Sequence, residues 1–172
     1  DNYLIINPFF HSFGYKAGWL ATMIAGATAF PQSIFDVPTV IEQIERHGIN
    51  VMPGPPTLFQ SLLDHEDFDR EKLKTLSKAT TGAAVIPTQL IEDMWQKLGI
   101  DTVITAYGLS ETCGLVTMCR QGDDAETIAT TSGRSIPGIE VAIFDDQGNA
   151  LPAMEPGEIV VKGYNVMRSY FE

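Results

Sequence analysis

The alternation of short apolar runs with helix-like segments is the feature that most constrains how this sequence folds. Between residues 1 and 108, five runs of strand length recur: "YLIIN", "ATAF", "INVMP", "KATTGAAV" and "DTVITAYG". The segments between them carry helix signals. One example is "DVPTVIEQIERHG", in which Asp36 is a candidate N-cap, Pro38 lies in the first turn and Gly48 ends the pattern. Strands joined by helical crossovers form parallel sheets, so the sequence predicts an α/β fold with a parallel sheet flanked by helices.

The pattern changes after Ala125. We expect a polar loop in "ETIATTSGRSIPG", a hairpin in "IEVAIFDDQGNALP" with its turn at "DDQGN", and a further strand in "PGEIVVKG". These segments predict a small antiparallel β subdomain. The sequence therefore divides into an α/β subdomain, residues 1–128, and an incomplete antiparallel β subdomain, residues 129–172.

Charge and rare residues exclude several classes of function. The net charge is -11 and no cluster of Lys or Arg occurs, so no nucleic acid is expected as a partner. The two cysteines, Cys113 and Cys119, form no CxxC pair, which predicts free thiols in a reducing compartment and a cytoplasmic location. The three histidines share no metal-ligand spacing, so no zinc site is predicted.

One uncharged stretch, "AGWLATMIAGATAFPQSIF", has the length of a membrane span. Gly26, Pro31, Gln32 and Ser33 interrupt it, so we expect a buried helix and a buried strand instead of a transmembrane segment. The sequence begins without Met or a signal peptide, and "MRSYFE" carries no sign of a natural end. We therefore expect a piece of a longer chain, with the rest of the parent on both sides.

Three clusters of small, aromatic or polar residues follow predicted strands: "NPFFHSFG", "TGAA" and "YGLSET". Ligands of open α/β sheets bind beyond the carboxyl ends of the strands, so the three clusters converge on one crevice if their strands are neighbours. In "TGAA", the small residues Gly82, Ala83 and Ala84 would let a flat ligand lie against the backbone, although tight packing of a strand against a helix explains them equally well.

The stretch "YGLSET" combines groups that suit a nucleotide. Tyr107 offers a ring for stacking on a base, Ser110 a hydroxyl for a phosphate oxygen, and Glu111 a hard oxygen ligand for Mg²⁺. The same letters also fit the start of a helix. His11 lies among aromatic residues in "NPFFHSFGY", and such a histidine is either a packed structural residue or part of the wall of an apolar substrate pocket.

Five segments, in this order, resemble the adenylate-forming family of acyl-CoA synthetases, luciferases and adenylation domains of peptide synthetases. They are "NPFFHSFG", "TTGAAVIP", "TAYGLSET", "SGRSIPGIEVAIFDDQGNALP" and "GEIVVKGYNVMRSYFE". Ser110 replaces the family's more usual Thr and keeps the hydroxyl. The resemblance implies that Tyr107, beside Gly108, stacks on the adenine, that Ser110 binds the α-phosphate and that Glu111 binds Mg²⁺. It also implies that His11 lies beside the acyl pocket. The residues that would line the adenine and acyl sites are Gly82, Ala83 and Ala84.

We expect the same aromatic stretch to bring Phe13 and Trp19 to the acyl pocket. By resemblance, the parent converts a hydrophobic carboxylic acid and ATP to an acyl-adenylate and then to a thioester with CoA, with ATP/AMP, Mg²⁺ and CoA as cofactors and cosubstrate. The family's phosphate loop, its ribose-binding "TGD" and the lysine of its C-terminal lid do not occur in residues 1–172, so this chain alone is expected to be inactive.

Two other functions stay open. Adenylation domains of peptide synthetases usually place an Asp early in the substrate region, and "NPFFHSFGYKAGW" has none. A stand-alone, non-catalytic α/β module would bind a ligand at the Tyr107 crevice without chemistry. The acid itself is not readable from the sequence: a fatty acid and a ring-bearing propanoate from steroid breakdown both fit.

Overall fold

The computed structural model of the chain describes residues 1–171. Its nine strands are β1 (Asn2–Ile5), β2 (Thr28–Pro31), β3 (Val51–Pro53), β4 (Lys78–Thr81), β5 (Thr102–Tyr107), β6 (Thr117–Met118), β7 (Arg134–Ser135), β8 (Ile139–Phe144) and β9 (Glu158–Gly163). Its five α-helices are α1 (Ala21–Ala25), α2 (Val37–His47), α3 (Pro56–Asp64), α4 (Thr88–Gln96) and α5 (Ala125–Thr130). A π-helical segment, Phe13–Leu20, leads into α1, and a 3₁₀ turn, Ser110–Thr112, follows β5.

Seven strands form one sheet in the order β2-β1-β3-β4-β5-β6-β7. Strands β1 to β5 are parallel, whereas β6 and β7 join the edge beside β5 in antiparallel pairing. A separate antiparallel pair consists of β8 and β9. The predicted fold class, a parallel sheet flanked by helices and followed by a small antiparallel β unit, is confirmed.

Helix α2 shows how local sequence produces these elements. The Asp36 carboxylate accepts a hydrogen bond from the Thr39 amide at 3.1 Å and another from the Thr39 hydroxyl at 2.6 Å, which caps the first turn as predicted. Val40 and Ile44 are fully buried. They belong to one apolar cluster that α2, α3, α4 and α5 share with the sheet and that includes Met52, Phe59, Leu62, Ile91, Met94 and Ile128.

Two expectations for the later part of the chain were wrong. The predicted polar loop "ETIATTSGRSIPG" contains helix α5, which Asp124 caps by accepting a hydrogen bond from the Thr127 amide at 2.7 Å. The turn at "DDQGN" forms, but Phe144 and Ala150 make only an isolated bridge across it, and the strand that pairs with β8 is β9. Strand β7 belongs to the large sheet although it lies after residue 128. The division between residues 1–128 and 129–172 stays a prediction.

The uncharged stretch at residues 17–35 is divided among the π-helical segment, α1 and β2. Only Thr22 of α1 is buried and β2 is mostly exposed, so the expected burial of this helix and strand was wrong. Helix α1 ends at Gly26, which has a φ of 63°. Within residues 1–171, no helix has both the length and the apolar character needed to cross a membrane.

Candidate functional site

A cavity of about 170 Å³ opens at the carboxyl ends of β4 and β5. All three clusters singled out in the sequence contribute to its wall, so they converge as expected. The lining residues are His11, Ser12, Phe13, Thr80, Thr81, Gly82, Ala83, Ala106, Tyr107, Gly108 and Gly114.

The loop after β1 reaches this cavity even though β3 separates β1 from β4 in the sheet. Backbone hydrogen bonds from the His11 amide to the Pro8 carbonyl, 3.1 Å, and from the Tyr15 amide to the His11 carbonyl, 2.9 Å, fold the loop back into the π-helical segment. The His11 Nδ1 atom accepts a hydrogen bond from the Phe13 amide at 3.1 Å. These contacts fix the local course of the loop, from which His11, Ser12 and Phe13 line the cavity.

The turn after β4 brings two backbones close together. A Cβ atom at Gly82 would lie 3.3 Å from both the Ala106 carbonyl oxygen and the Thr105 hydroxyl, so the missing side chain lets β4 end directly beside β5. The next residue, Ala83, is exposed and has a φ of 63°, a left-handed conformation that non-glycine residues rarely adopt. The neighbouring Thr81 is only 1% exposed, and its hydroxyl has no hydrogen-bond partner within residues 1–171. A buried hydroxyl without a partner in the wall of a cavity suits a ligand or a water molecule.

The turn after β5 requires Gly108. A Cβ atom there would lie 2.3 Å from the carbonyl carbon and oxygen of Gly114, which is a clash with backbone. The Thr112 hydroxyl bridges the Leu109 amide and the Leu109 carbonyl, 3.0 Å in each case, and so fixes the loop that follows. The helix start that the letters of "YGLSET" also fitted is a single 3₁₀ turn, held by the hydroxyl of Thr112.

The three polar groups of "YGLSET" occupy different positions. Tyr107 is half-buried in the cavity wall, whereas Ser110 is exposed and Glu111 is half-buried, and neither of the latter two lines the cavity. The Glu111 carboxylate accepts a hydrogen bond from the Tyr170 hydroxyl. That bond, and then a backbone hydrogen bond within Glu111, hold the pKa of the Glu111 carboxyl below its usual range, so the group is ionised at neutral pH.

The segment after β9 supports this loop, and the sequence reasoning assigned no role to its residues. Asn165 is 8% exposed, and its side-chain amide donates to the carbonyls of Thr112 at 2.9 Å and Leu115 at 2.6 Å. The Met167 amide donates to the Glu111 carbonyl at 2.7 Å. Asn165 and Tyr170 lie in "GEIVVKGYNVMRSYFE", whose family resemblance was the one signal that could have drawn attention to them.

A second, larger cavity of about 360 Å³ adjoins the first and shares Ser12, Phe13, Thr80, Ala106 and Gly114 with it. Its remaining lining residues are Tyr3, Lys16, Ala17, Ala21, Cys113, Leu115 and Met118. Trp19 and Ala84 line neither cavity. The Trp19 ring packs against Tyr15 with a centroid distance of 5.0 Å, and Ala84 is exposed beyond the turn after β4.

Residues 1–171 match the sequence profile of a family described as "AMP-binding enzyme". This chain belongs to that family. Within residues 1–171 no group of three or more His, Cys, Asp or Glu side chains is arranged to hold a metal ion.

Similar proteins carry acyl-CoA ligase names. The chain is 51% identical over 172 residues to a 3-[(3aS,4S,7aS)-7a-methyl-1,5-dioxo-octahydro-1H-inden-4-yl]propanoyl:CoA ligase of Rhodococcus jostii, covering 100% of this chain and 31% of that protein. It is 28% identical to the human medium-chain acyl-CoA ligase ACSF2, mitochondrial, with 98% of this chain and 28% of the human protein covered. This chain thus spans about a third of the length of the Rhodococcus relative.

Solved structures have the same fold. The O-succinylbenzoate coenzyme A synthetase (MenE) of Bacillus subtilis in complex with AMP superposes with a TM-score of 0.80 at 28% identity, covering 99% of this chain and 34% of that one. A complex of the same Bacillus enzyme with ATP and a magnesium ion matches equally well, with a TM-score of 0.80.

Proposed function

We propose that this chain forms the acid- and nucleotide-binding centre of an AMP-forming acyl-CoA ligase. The reaction joins a hydrophobic carboxylic acid to ATP, giving an acyl-adenylate and pyrophosphate, and CoA then displaces AMP to give a thioester. The observation that carries the proposal is the convergence of the segments after β1, β4 and β5 on one cavity, in a chain of the AMP-binding family. The alternative of a non-catalytic binding module gains no support from the ligase names of the relatives.

The residues around the first cavity suit a nucleoside monophosphate. The Tyr107 ring supplies a face on which the adenine stacks, and the flat surface made by Gly82 and Ala83 lies next to it in the cavity wall. The Thr81 hydroxyl, buried and without a partner within residues 1–171, is free to bond a polar group of the ligand. Ser110 is proposed to bind a phosphate oxygen. Its exposed side chain lies at the start of the 3₁₀ turn that follows Tyr107 and Gly108 of the cavity wall.

The residues present also fit Mg²⁺. Magnesium is usually held by one or two carboxylates together with substrate phosphates and water, so a site with one protein carboxylate is sufficient. Glu111 is ionised and oriented by the Tyr170 hydroxyl, which makes it the candidate ligand. When bound, the ion would neutralise phosphate charge as pyrophosphate leaves.

The acid is proposed to occupy the second cavity, whose volume of about 360 Å³ lies within the range of small-molecule sites. Phe13, Ala17, Ala21, Leu115 and Met118 supply an apolar surface there. The ring-bearing propanoate named for the Rhodococcus relative supports a substrate of that class more than a simple fatty acid. His11 stays a proposed neighbour of the acid through the first cavity. Trp19 lines neither cavity and packs against Tyr15, so we propose that it supports the fold of this segment and does not contact the acid.

Parts of the protein outside this chain are proposed to complete the enzyme. Large apolar side chains remain exposed at Phe10, Ile24, Val85 and Phe171, which suits further protein packed on these faces. Cys113 and Cys119 are unpaired, in keeping with the proposed cytoplasmic location.

The test uses the full-length protein with ATP, Mg²⁺, CoA and a panel of ring-bearing propanoates, fatty acids and amino acids. Pyrophosphate release and thioester formation are measured. We expect Glu111→Ala to lower kcat by roughly 10²-fold or more with little change in acid binding, because the metal acts mainly in the transition state. The control is Glu126→Ala, an exposed carboxylate of α5. No pyrophosphate with any acid would overturn the ligase proposal, and a normal kcat in Glu111→Ala would overturn the metal role.

A further inference from the structure

The larger cavity contains one charged side chain among its lining residues. Lys16 lies on the π-helical segment and contributes to this cavity but not to the smaller one. The other polar side chains in its wall are the hydroxyl groups of Tyr3, Ser12 and Thr80 and the thiol of Cys113. Lys16 is half-buried, and a lysine in the wall of an otherwise apolar cavity offers three N–H donors to a molecule bound there.

No carboxylate of residues 1–171 forms an ion pair with Lys16, although four other lysines have such partners. The neighbouring Tyr3 cannot serve as an anion, because burial raises the pKa of its phenol to about 12. Its hydroxyl donates its proton to the Ala17 carbonyl at 2.8 Å. The Lys16 ammonium is therefore left to interact with water or with a molecule in the cavity.

The two cavities define a direction for an acid that spans them. Their shared wall, which includes Thr80, Ala106 and Gly114, lies between the nucleotide side with Tyr107 and the side with Lys16. A carboxyl group that reacts with a nucleotide must lie at the shared wall or on its Tyr107 side. Lys16, which touches only the larger cavity, then lies beside the carbon skeleton of the acid.

We propose that Lys16 is a specificity-determining residue that donates a hydrogen bond to a second oxygen acceptor on the substrate, remote from its reacting carboxyl group. The substrate class is thus an acid whose skeleton carries a carbonyl or carboxylate oxygen. This inference rests on the proposed ligase function, and it specifies which hydrophobic acids the site would prefer, namely those with a second oxygen acceptor. A lysine whose stem covers apolar surface while its charge stays in water would show no such selection.

The experiment compares acids of equal skeleton in the full-length protein: an unsubstituted acid, its keto derivative and its dicarboxylate. The variants are Lys16→Met, which keeps the length of the stem and removes the charge, and Lys16→Arg, which keeps the charge. Lys72→Met is the matched control, because Lys72 is also half-buried and lies outside both cavities. The readouts are kcat/KM for each acid, KM for ATP, and the affinity for each acid by calorimetry without ATP.

We expect Lys16→Met to lower kcat/KM and affinity for the oxygenated acids by roughly 10- to 100-fold, the scale of a hydrogen bond to a charged group. The unsubstituted acid should be unaffected, and Lys16→Arg should retain much of the preference. The salt dependence of binding distinguishes a keto acceptor from a carboxylate, because screening strongly weakens only the interaction of Lys16 with the carboxylate.

An equal loss with all three acids would overturn the proposal, because Lys16 would then contact the shared carboxyl group or the nucleotide. If Lys16→Met keeps the wild-type preference for oxygenated acids, the proposal is also overturned, because Lys16 would then only cover apolar surface with its stem. If the wild-type protein turns over no acid, the ligase proposal fails, and calorimetry with the same acids still decides whether Lys16 binds the acceptor.

Discussion

The Tyr170 hydroxyl donates a hydrogen bond to the Glu111 carboxylate across 59 positions of sequence. This contact stabilises the charged carboxylate and lowers its pKa, and it raises the pKa of the Tyr170 phenol for the same reason. It links the end of the described chain to the residue proposed to bind Mg²⁺. Tyr170 is thus a candidate positioning residue, because it would act on the proposed nucleotide site through Glu111.

Replacing Tyr170 with Phe should move the acid limb of the kcat/KM profile of the full-length protein to higher pH. The lost hydrogen bond lets the Glu111 pKa rise toward its ordinary value of 4.5, so the carboxylate is protonated sooner as the pH falls. A carboxyl group whose pKa is lowered in the folded state stabilises the fold above its unfolded pKa and loses this contribution as the pH falls through the folded value. Any Tm loss in Tyr170→Phe should therefore be present at pH 7 and fade as the pH falls below the ordinary pKa of 4.5. Tyr164→Phe, at another exposed tyrosine, is the control. Identical acid limbs in the two variants would show that Tyr170 does not act on Glu111.

Replacing Asn165 with Ala should loosen the loop from Thr112 to Leu115. The carbonyls of buried Thr112 and half-buried Leu115 lose their donor, which costs roughly 1–3 kcal/mol of unfolding free energy. We also expect KM for ATP to rise, because this loop includes Gly114 of the cavity wall. Denaturant unfolding and ATP kinetics measure the two effects. Val166→Ala, at the exposed neighbouring position, should change neither, and an equal effect there would count against a specific role for Asn165.

Replacing Gly108 with Ala should disrupt the nucleotide side of the site. The added Cβ clashes with the Gly114 backbone at 2.3 Å, so the turn after β5 must shift. The control is Gly26→Ala, where the Cβ meets nothing within 4 Å and only the left-handed conformation costs energy, about 1 kcal/mol. AMP affinity by calorimetry and the melting curve are measured for both variants. We expect AMP binding to be lost in Gly108→Ala and kept in Gly26→Ala. Normal AMP binding in that variant would remove Gly108 from the site.

Phe13 and Trp19 were both expected at the acyl pocket, and they should now behave differently. Phe13 lines both cavities, so Phe13→Ala should favour bulkier acids. Trp19 is half-buried beside Tyr15, so Trp19→Ala should lower the unfolding free energy by roughly 1–3 kcal/mol, less than for a fully buried aromatic residue. Its acid preference should be unchanged. Measuring kcat/KM across acids of graded size, together with Tm, tests both, and an altered preference in Trp19→Ala would return this residue to the pocket.

Several features of the fold and site were predictable because neighbouring residues encode them. The cap of α2 at Asp36, its apolar face and the alternation of strands with helices all depend on short-range spacing. The same applies to the turns after β4 and β5, where small residues at strand ends predicted that the turns converge on one crevice. Helix α5 and strands β6 and β7 were missed because each is too short to show a period.

The sequence by itself determined the fold class, the turns that line the smaller cavity and the candidate groups at Tyr107, Ser110 and Glu111. Only the tertiary structure decided which of these groups share a wall: Tyr107 lines the cavity, whereas Ser110 and Glu111 lie beside it. It also brought the Tyr170 hydroxyl to Glu111 and placed Lys16 in the wall of the larger cavity, where no carboxylate of residues 1–171 pairs with it. The physical reason is that spacing along a chain specifies local hydrogen bonds and faces, whereas contacts between distant residues depend on how packed strands and helices bring loops together.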